Sequence, residues 1–301
     1  MRNTFILASL LALGCGGSKT AAKLDGGVSA DLTPDTSGCH PPFGRDYIIT
    51  KFTMRNAGDG FDLMGDGKPH NALGTLAQFA NPKWQDAIIK GYAIYLLDVR
   101  SLAGPPLVEG DSPAISFFVG VDADNDPTNN LGGMGRFYVP AEQFDVNCQT
   151  TAGFDNVLVH GGQITADKGS VSVVSQGIGS LQFVHVKLIS TMNADYTAIS
   201  GALGDISTSC ALSLAPSGIN AQSLLDVIVG QFQLQPDMDL NRDGLDTFSA
   251  DSNGIVSCTS ADGTVIQGHD CPCNAHIHDG YSSAMDFTTA PASILGLTTP
   301  H

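Results

Sequence analysis

The apolar positions of this chain come in short runs cut by Gly, Asn, Asp and Pro, and most runs alternate apolar with polar residues. In "DYIITKFTM" (46–54), Ile48, Phe52 and Met54 fall on one face, the period of a strand with one side buried. "GYAIYLLDV" (91–99), "AISFFVGV" (114–121), "GRFYV" (135–139), "NVLVHGGQI" (156–164), "GSVSVVS" (169–175) and "LQFVHVKLIS" (181–190) predict further strands. In the last run Val184, Val186 and Leu188 share a face, opposite His185 and Lys187, while Leu181 and Phe183 are out of phase. That slip predicts a bulge or burial on both faces. Two segments break the pattern. "NPKWQDAIIKG" (81–91) opens on Asn-Pro, suited to an N-cap and first helical position, and "GINAQSLLDVIVG" (218–230) spaces Leu224, Leu225 and Ile228 as a helix does. Both predict short helices covering an end of the sheet.

Composition strengthens this reading. The chain has 35 Gly and 15 Pro, and its 30 acidic residues divide into 28 Asp and only two Glu, Glu109 and Glu142. Helical surfaces favour Glu, whereas Asp favours turns, caps and oxygen-ligand loops. Regular strands with few helices predict a mainly β fold, an antiparallel β-sandwich or jelly-roll-like domain over residues 39–301. A composition shift near 201–217 marks a possible boundary within it. The net charge of −16 opposes binding to nucleic acid or to anionic head groups, so no nucleic-acid partner is expected.

The N-terminus gives an address. "MRNTFILASLLALGCGG" carries Arg2, an apolar run from Phe5 to Leu13 and small residues around Cys15, the layout of a secretory signal. "ALGC" (12–15) resembles the lipobox of bacterial lipoprotein precursors, with Ala12 where Leu is usual. The resemblance implies that residues 1–15 are the signal and its lipobox cysteine. Acylated Cys15 would then attach the protein to the membrane of a bacterial cell envelope, the outer membrane rather than the inner. The alternative is an ordinary signal cut near Ala22. Residues 16–38 are small and polar and read as a flexible tether. Beyond Cys15 there are six cysteines, Cys39, Cys148, Cys210, Cys258, Cys271 and Cys273, an even number that predicts three disulfides in an oxidising compartment. Cys258 with Cys271 would close a short loop across a turn, and Cys271 and Cys273 are too close in sequence to pair with each other.

The candidate chemistry is mostly oxygen. "PDMDLNRDGLDTF" (236–248) places Asp237, Asp239, Asn241 and Asp243 at alternate positions, followed by Gly244 and Asp246. A hard cation takes six to eight oxygens, and a tight loop can turn alternate side chains inward while glycine lets the backbone reverse. The stretch resembles the calcium loops of EF-hands, dockerins and thrombospondin type 3 repeats, which implies calcium as cofactor. It departs from them in having Ala250 where an EF-hand places its last acid, and in having Asp246 one residue early for a thrombospondin-type loop. An Asx-rich turn without an ion is the alternative. "DLMGDGKPHN" (62–71) repeats the D-L-x-x-D-G phrase with Asp62 and Asp66, but Met64 and His70 stand where oxygens are expected. "DADNDPTNN" (122–130) offers Asp122, Asp124 and Asp126 without a turn glycine. Each is a weaker calcium candidate, with a plain polar loop as the alternative. His269, Cys271, Cys273, His276 and His278 could hold zinc or copper were the thiols free.

No G-x-S-x-G, H-E-x-x-H or phosphate-binding loop occurs, and His160 stands alone as a possible base. The sequence therefore predicts a lipid-anchored, calcium-binding envelope protein with a structural or adhesion-like role toward a protein or carbohydrate ligand. An exported β-sandwich hydrolase with a carboxylate site is the alternative.

Overall fold

The structure, a computed structural model, describes residues 39–298 apart from 103, 105, 155, 176–178 and 216–222. The signal, Cys15 and the tether at 16–38 lie outside the described residues, as does part of the predicted 218–230 helix. In chain order the strands are β1 (Arg45–Met54), β2 (Tyr95–Arg100), β3 (Ala114–Val119), β4 (Val121–Asp122), β5 (Gly135–Pro140), β6 (Leu158–His160), β7 (Gln163–Ser175), β8 (Gly179–Met192) and β9 (Ile199–Thr208), then β10 (Thr247–Asp251), β11 (Gly254–Thr259), β12 (Val265–Gln267) and β13 (Gly280–Thr298). The helices are α1 (Ala77–Ile89), the single turn α2 (Pro127–Asn129), α3 (Ser209–Leu214) and α4 (Leu224–Phe232). The fold is mainly β and sandwich-like, as the hydrophobic pattern predicts. One curled sheet runs β3-β2-β1-β13-β9-β8-β7-β6, and β10-β11-β12 form a second, small one.

Strand β13 organises the large sheet. Its first half lies antiparallel between β1 and β9, and its last residues leave β1 and run parallel to β5. The strand is invisible to alternation because its first six residues, Gly280 to Met285, are all buried. Their small polar side chains find partners in place: the Ser283 hydroxyl donates to Asp205 Oδ2 at 2.9 Å, and the Ser282 hydroxyl donates to Asp237 Oδ2. β9 was hidden for a related reason, since Gly201 and Gly204 dilute its apolar signal.

The slip in β8 is a bulge. Pairing with β9 shifts between Val184 and Lys187, and His185 between them has φ of 52°. Helix α1 differs from expectation. It starts at Ala77, so Asn81 is not its cap and Pro82 sits inside it. The Asn81 carboxamide instead bonds β1, accepting from Met54 N at 2.7 Å and donating to Met54 O at 2.9 Å. Helix α4 is capped by Ser223, whose hydroxyl accepts from Asp226 N while the Asp226 carboxylate accepts from Ser223 N, a reciprocal capping box. It runs past Gly230 and ends at Gln233, φ 53°.

Three disulfides join Cys39 to Cys148, Cys210 to Cys273 and Cys258 to Cys271. The last is the pairing that loop closure favours. Bridges of this number belong to an oxidising, extracytoplasmic compartment. Among the described residues no helix is long and apolar enough to cross a membrane.

Candidate functional site

The two D-L-x-x-D-G phrases fold into the same turn. Asp62 Oδ1 accepts from Asp66 N at 3.0 Å and its Oδ2 from Gly67 N at 3.0 Å. Asp239 Oδ1 accepts from Asp243 N at 3.2 Å and its Oδ2 from Gly244 N at 3.0 Å. The backbone agrees as well: the fourth residue of each phrase has positive φ (Gly65 75°, Arg242 65°), and so does the sixth (Gly67 79°, Gly244 116°). A first aspartate that caps the fifth and sixth amides holds the loop open at one end. Positions three and five carry oxygens in the second copy, Asn241 and Asp243, whereas the first copy has Met64 and Asp66 there.

Both loops are seated on one face of the sheet. Phe61 and Met238, the residues before the two first aspartates, are buried in a single small apolar cluster with Leu63, Ala202, Ile206 and Ala284, and Leu240 packs against it. Ala202 and Ile206 of β9 face this cluster, while Leu203 between them faces the main core, so the cluster lies on the opposite side of the sheet. Ser282 of β13 ties the two together. Its hydroxyl accepts from Ala72 N at 2.8 Å and donates to Asp237 Oδ2.

The structure thus sorts the expected ligands. Asp239, Asn241 and Asp243 share one loop, with Asn241 Nδ2 donating to Asp243 Oδ2 at 2.8 Å. Asp237 is turned to Ser282 on β13. Asp246 is buried beneath the loop against Asp279, a residue sequence reasoning missed. Asp246 N donates to Asp279 Oδ2, and Asp279 N donates to Asp246 Oδ2 at 3.3 Å. Burial, with the charges of Asp246 and Asp239 adding, pushes the Asp279 carboxyl up to about 6. The loop therefore rests on a carboxylate that a nearby cation would stabilise in its charged form.

At the first phrase, Asp62, Asp66 and His70 bring ligand atoms within 4.8 Å of one another, with His70 Nε2 3.0 Å from Asp66 Oδ1. His70, which in the sequence only stands where an oxygen is expected, is brought into this group; its position four residues after Asp66 was the available signal. A third cluster, at 122–130, is a chain of Asx turns. Asp122 Oδ1 accepts from Asp124 N at 3.2 Å and Asp124 Oδ1 from Asp126 N at 3.0 Å. Asp126 caps α2, its Oδ1 accepting from Thr128 N at 3.0 Å and from the Thr128 hydroxyl at 2.6 Å.

Several other chemistry-bearing groups are engaged structurally. Disulfides consume Cys271 and Cys273, which removes the thiols from any zinc or copper set. His269 bonds Asp226 at 2.9 Å, and exposed His160 bonds Glu109. Asp46 and Asp98 face each other across β1 and β2, where Asp46 Oδ2 accepts from Ile294 N and Asp98 Oδ1 from Gly44 N. Burial, with Asp98 adding, raises the Asp46 carboxyl to about 7. This pair is bound into the sheet by backbone amides and by Arg100, 3.0 Å from Asp98.

No protein-family model, curated protein or solved structure matches the chain.

Proposed function

We propose that the protein is a lipid-anchored bacterial envelope protein that binds calcium on the outer face of β9 and β13 and serves a structural or adhesion-like role. Acylated Cys15 and the tether at 16–38 would hold the domain off the outer membrane, and a protein or carbohydrate partner would meet it there. One observation carries the calcium reading. Two separate copies of D-L-x-x-D-G adopt the same turn, with positive φ at the same two positions, and anchor side by side in one apolar cluster. Asn241 and Asp243 give the second copy the fuller oxygen set, whereas Met64 and His70 leave the first with mixed ligands. The copy at 239–246 is therefore the principal calcium site.

Thermal unfolding in chelator and in millimolar calcium tests this. A ligand held by the native state alone stabilises it by about 2.7 kcal/mol at a hundredfold excess over its dissociation constant. Asp243→Ala is expected to abolish most of the shift, and Asp66→Ala to remove less of it. An identical melt with and without calcium rejects the reading. The anchor is tested separately: Cys15→Ser should lose palmitate labelling and leave the membrane fraction. Continued membrane association of that variant, with no acyl label on wild type, rejects lipidation.

A further inference from the structure

The loop after β4 holds a buried amide whose oxygen has no partner. Asn130 is 1% exposed, and its Nδ2 donates to Asp122 Oδ2 at 3.0 Å. Oδ1 of the same carboxamide is sealed from solvent and has no hydrogen-bond partner among the described residues. Such an acceptor costs its full desolvation free energy, so buried carboxamides normally have both ends satisfied. Beside it, Asp122 and Asp124 are neighbours in one turn, Asp122 Oδ1 accepting from Asp124 N at 3.2 Å. Asp122 is itself buried, at 9% exposure. Each oxygen of the two carboxylates is engaged by one donor (Asp124 N and Asn130 Nδ2 on Asp122, Asp126 N and Asn129 Nδ2 on Asp124), so each keeps a lone pair for a hard cation, with the orphaned amide oxygen alongside.

We propose that Asp122, Asp124 and Asn130 form a calcium site at the end of β4, with Asn130 Oδ1 as its neutral ligand. The ion would satisfy the orphaned oxygen and screen the two carboxylates at one stroke. Oxygen-only ligands select a hard cation, and a loop with adaptable backbone geometry suits calcium better than magnesium, which demands a tighter octahedron. The site would also stiffen a corner of the fold, because the turn after Asn130 carries Gly133, φ 82°, against Pro291 of β13. This site stands independently of the turns at 62 and 239 and shares no residue with them.

Equilibrium dialysis of the full chain with radioactive calcium measures the number of ions bound. Asp124 is exposed, so Asp124→Asn should fold normally and bind one ion fewer than wild type. Asn130→Asp exchanges the neutral ligand for a charged one and should bind that ion about tenfold more tightly, since charge count tunes affinity in such sites. The proposal is overturned if Asp124→Asn keeps every ion of wild type, or if Asn130→Asp binds no more tightly. Failure of the sites at 62 and 239 would read differently: wild type would then bind a single ion, and Asp124→Asn none.

Discussion

The ring of Phe61 rests directly on the backbone of Gly204: a methyl group there would come within 2.5 Å of Phe61 Cδ2. The contact places Phe61 in the outer apolar cluster, and Phe61 in turn sets the position of Asp62 one residue on. Gly204→Ala must therefore push the ring and the turn off β9. Overpacking of this kind costs about 1–3 kcal/mol. We expect that loss in denaturant unfolding, with faster amide exchange at Asp66 and Gly67. A variant as stable as wild type would place Phe61 elsewhere.

Asp205 supplies a pH dependence of definite sign. It is fully buried on β9, its one side-chain bond comes from the Ser283 hydroxyl, and its Oδ1 has no partner among the described residues. Burial pushes its carboxyl from 3.8 up to about 7. An acid whose folded pKa is raised favours the native state only while protonated. Its contribution is thus intact below about pH 4, fades as pH rises, and is a full penalty above pH 7. The difference between those limits is of order 4 kcal/mol by one pKa unit per 1.36 kcal/mol. Asp205→Asn removes this titration. Measured by urea unfolding, its stability relative to wild type should climb between pH 4 and pH 8. A constant difference across that range would show that Asp205 is charged in the folded protein.

How much of this was legible in the sequence depended on whether a residue's neighbours in space were also neighbours in the chain. β1, β2, β3 and β5 alternate or run apolar over a few residues, so their burial shows locally. The phase slip around Phe183 likewise announced the bulge near His185. β13 did not show, because Ser282 and Ser283 are buried on account of Asp237 and Asp205, which lie dozens of residues away. The site divides the same way. Asp239, Asn241 and Asp243 form a local phrase and could be read directly. Asp279, which supports that phrase from below, and Phe61 and Met238, which seat the two copies side by side, become relevant only once the sheet assembles.

Asn81 offers a test between its local reading and its observed role. As a helix cap, Asn and Asp are nearly interchangeable. As a bridge to β1 they are not, because Asn81 donates to Met54 O as well as accepting from Met54 N. Asn81→Asp would set a carboxylate oxygen against that carbonyl in a partly buried position. We expect a loss of about 1–3 kcal/mol in thermal or urea unfolding, as for a lost buried partner. A neutral effect would return Asn81 to the cap position.

The two turns share positive φ at their sixth residue but not the same tolerance of a side chain. Gly67 has φ of 79°, close to the left-handed region that other residues enter at modest cost, and a Cβ there meets nothing within 4 Å. Gly244 has φ of 116°, outside that region, and a Cβ would sit 3.1 Å from Ala261 Cβ. Gly67→Ala should therefore cost about 1 kcal/mol and Gly244→Ala about 2–3 kcal/mol, both measured in chelator so that no ion contributes. The order matters more than either value. If calcium binds as proposed, Gly244→Ala should also reduce the calcium-dependent stabilisation more than Gly67→Ala does, because strain at the sixth residue pulls its amide from Asp239 and tilts the carboxylate that opens the loop. Equal losses from the two substitutions would mean that the turns relax freely, and that their matching backbone is a property of free Asx turns and not of a ligand cradle.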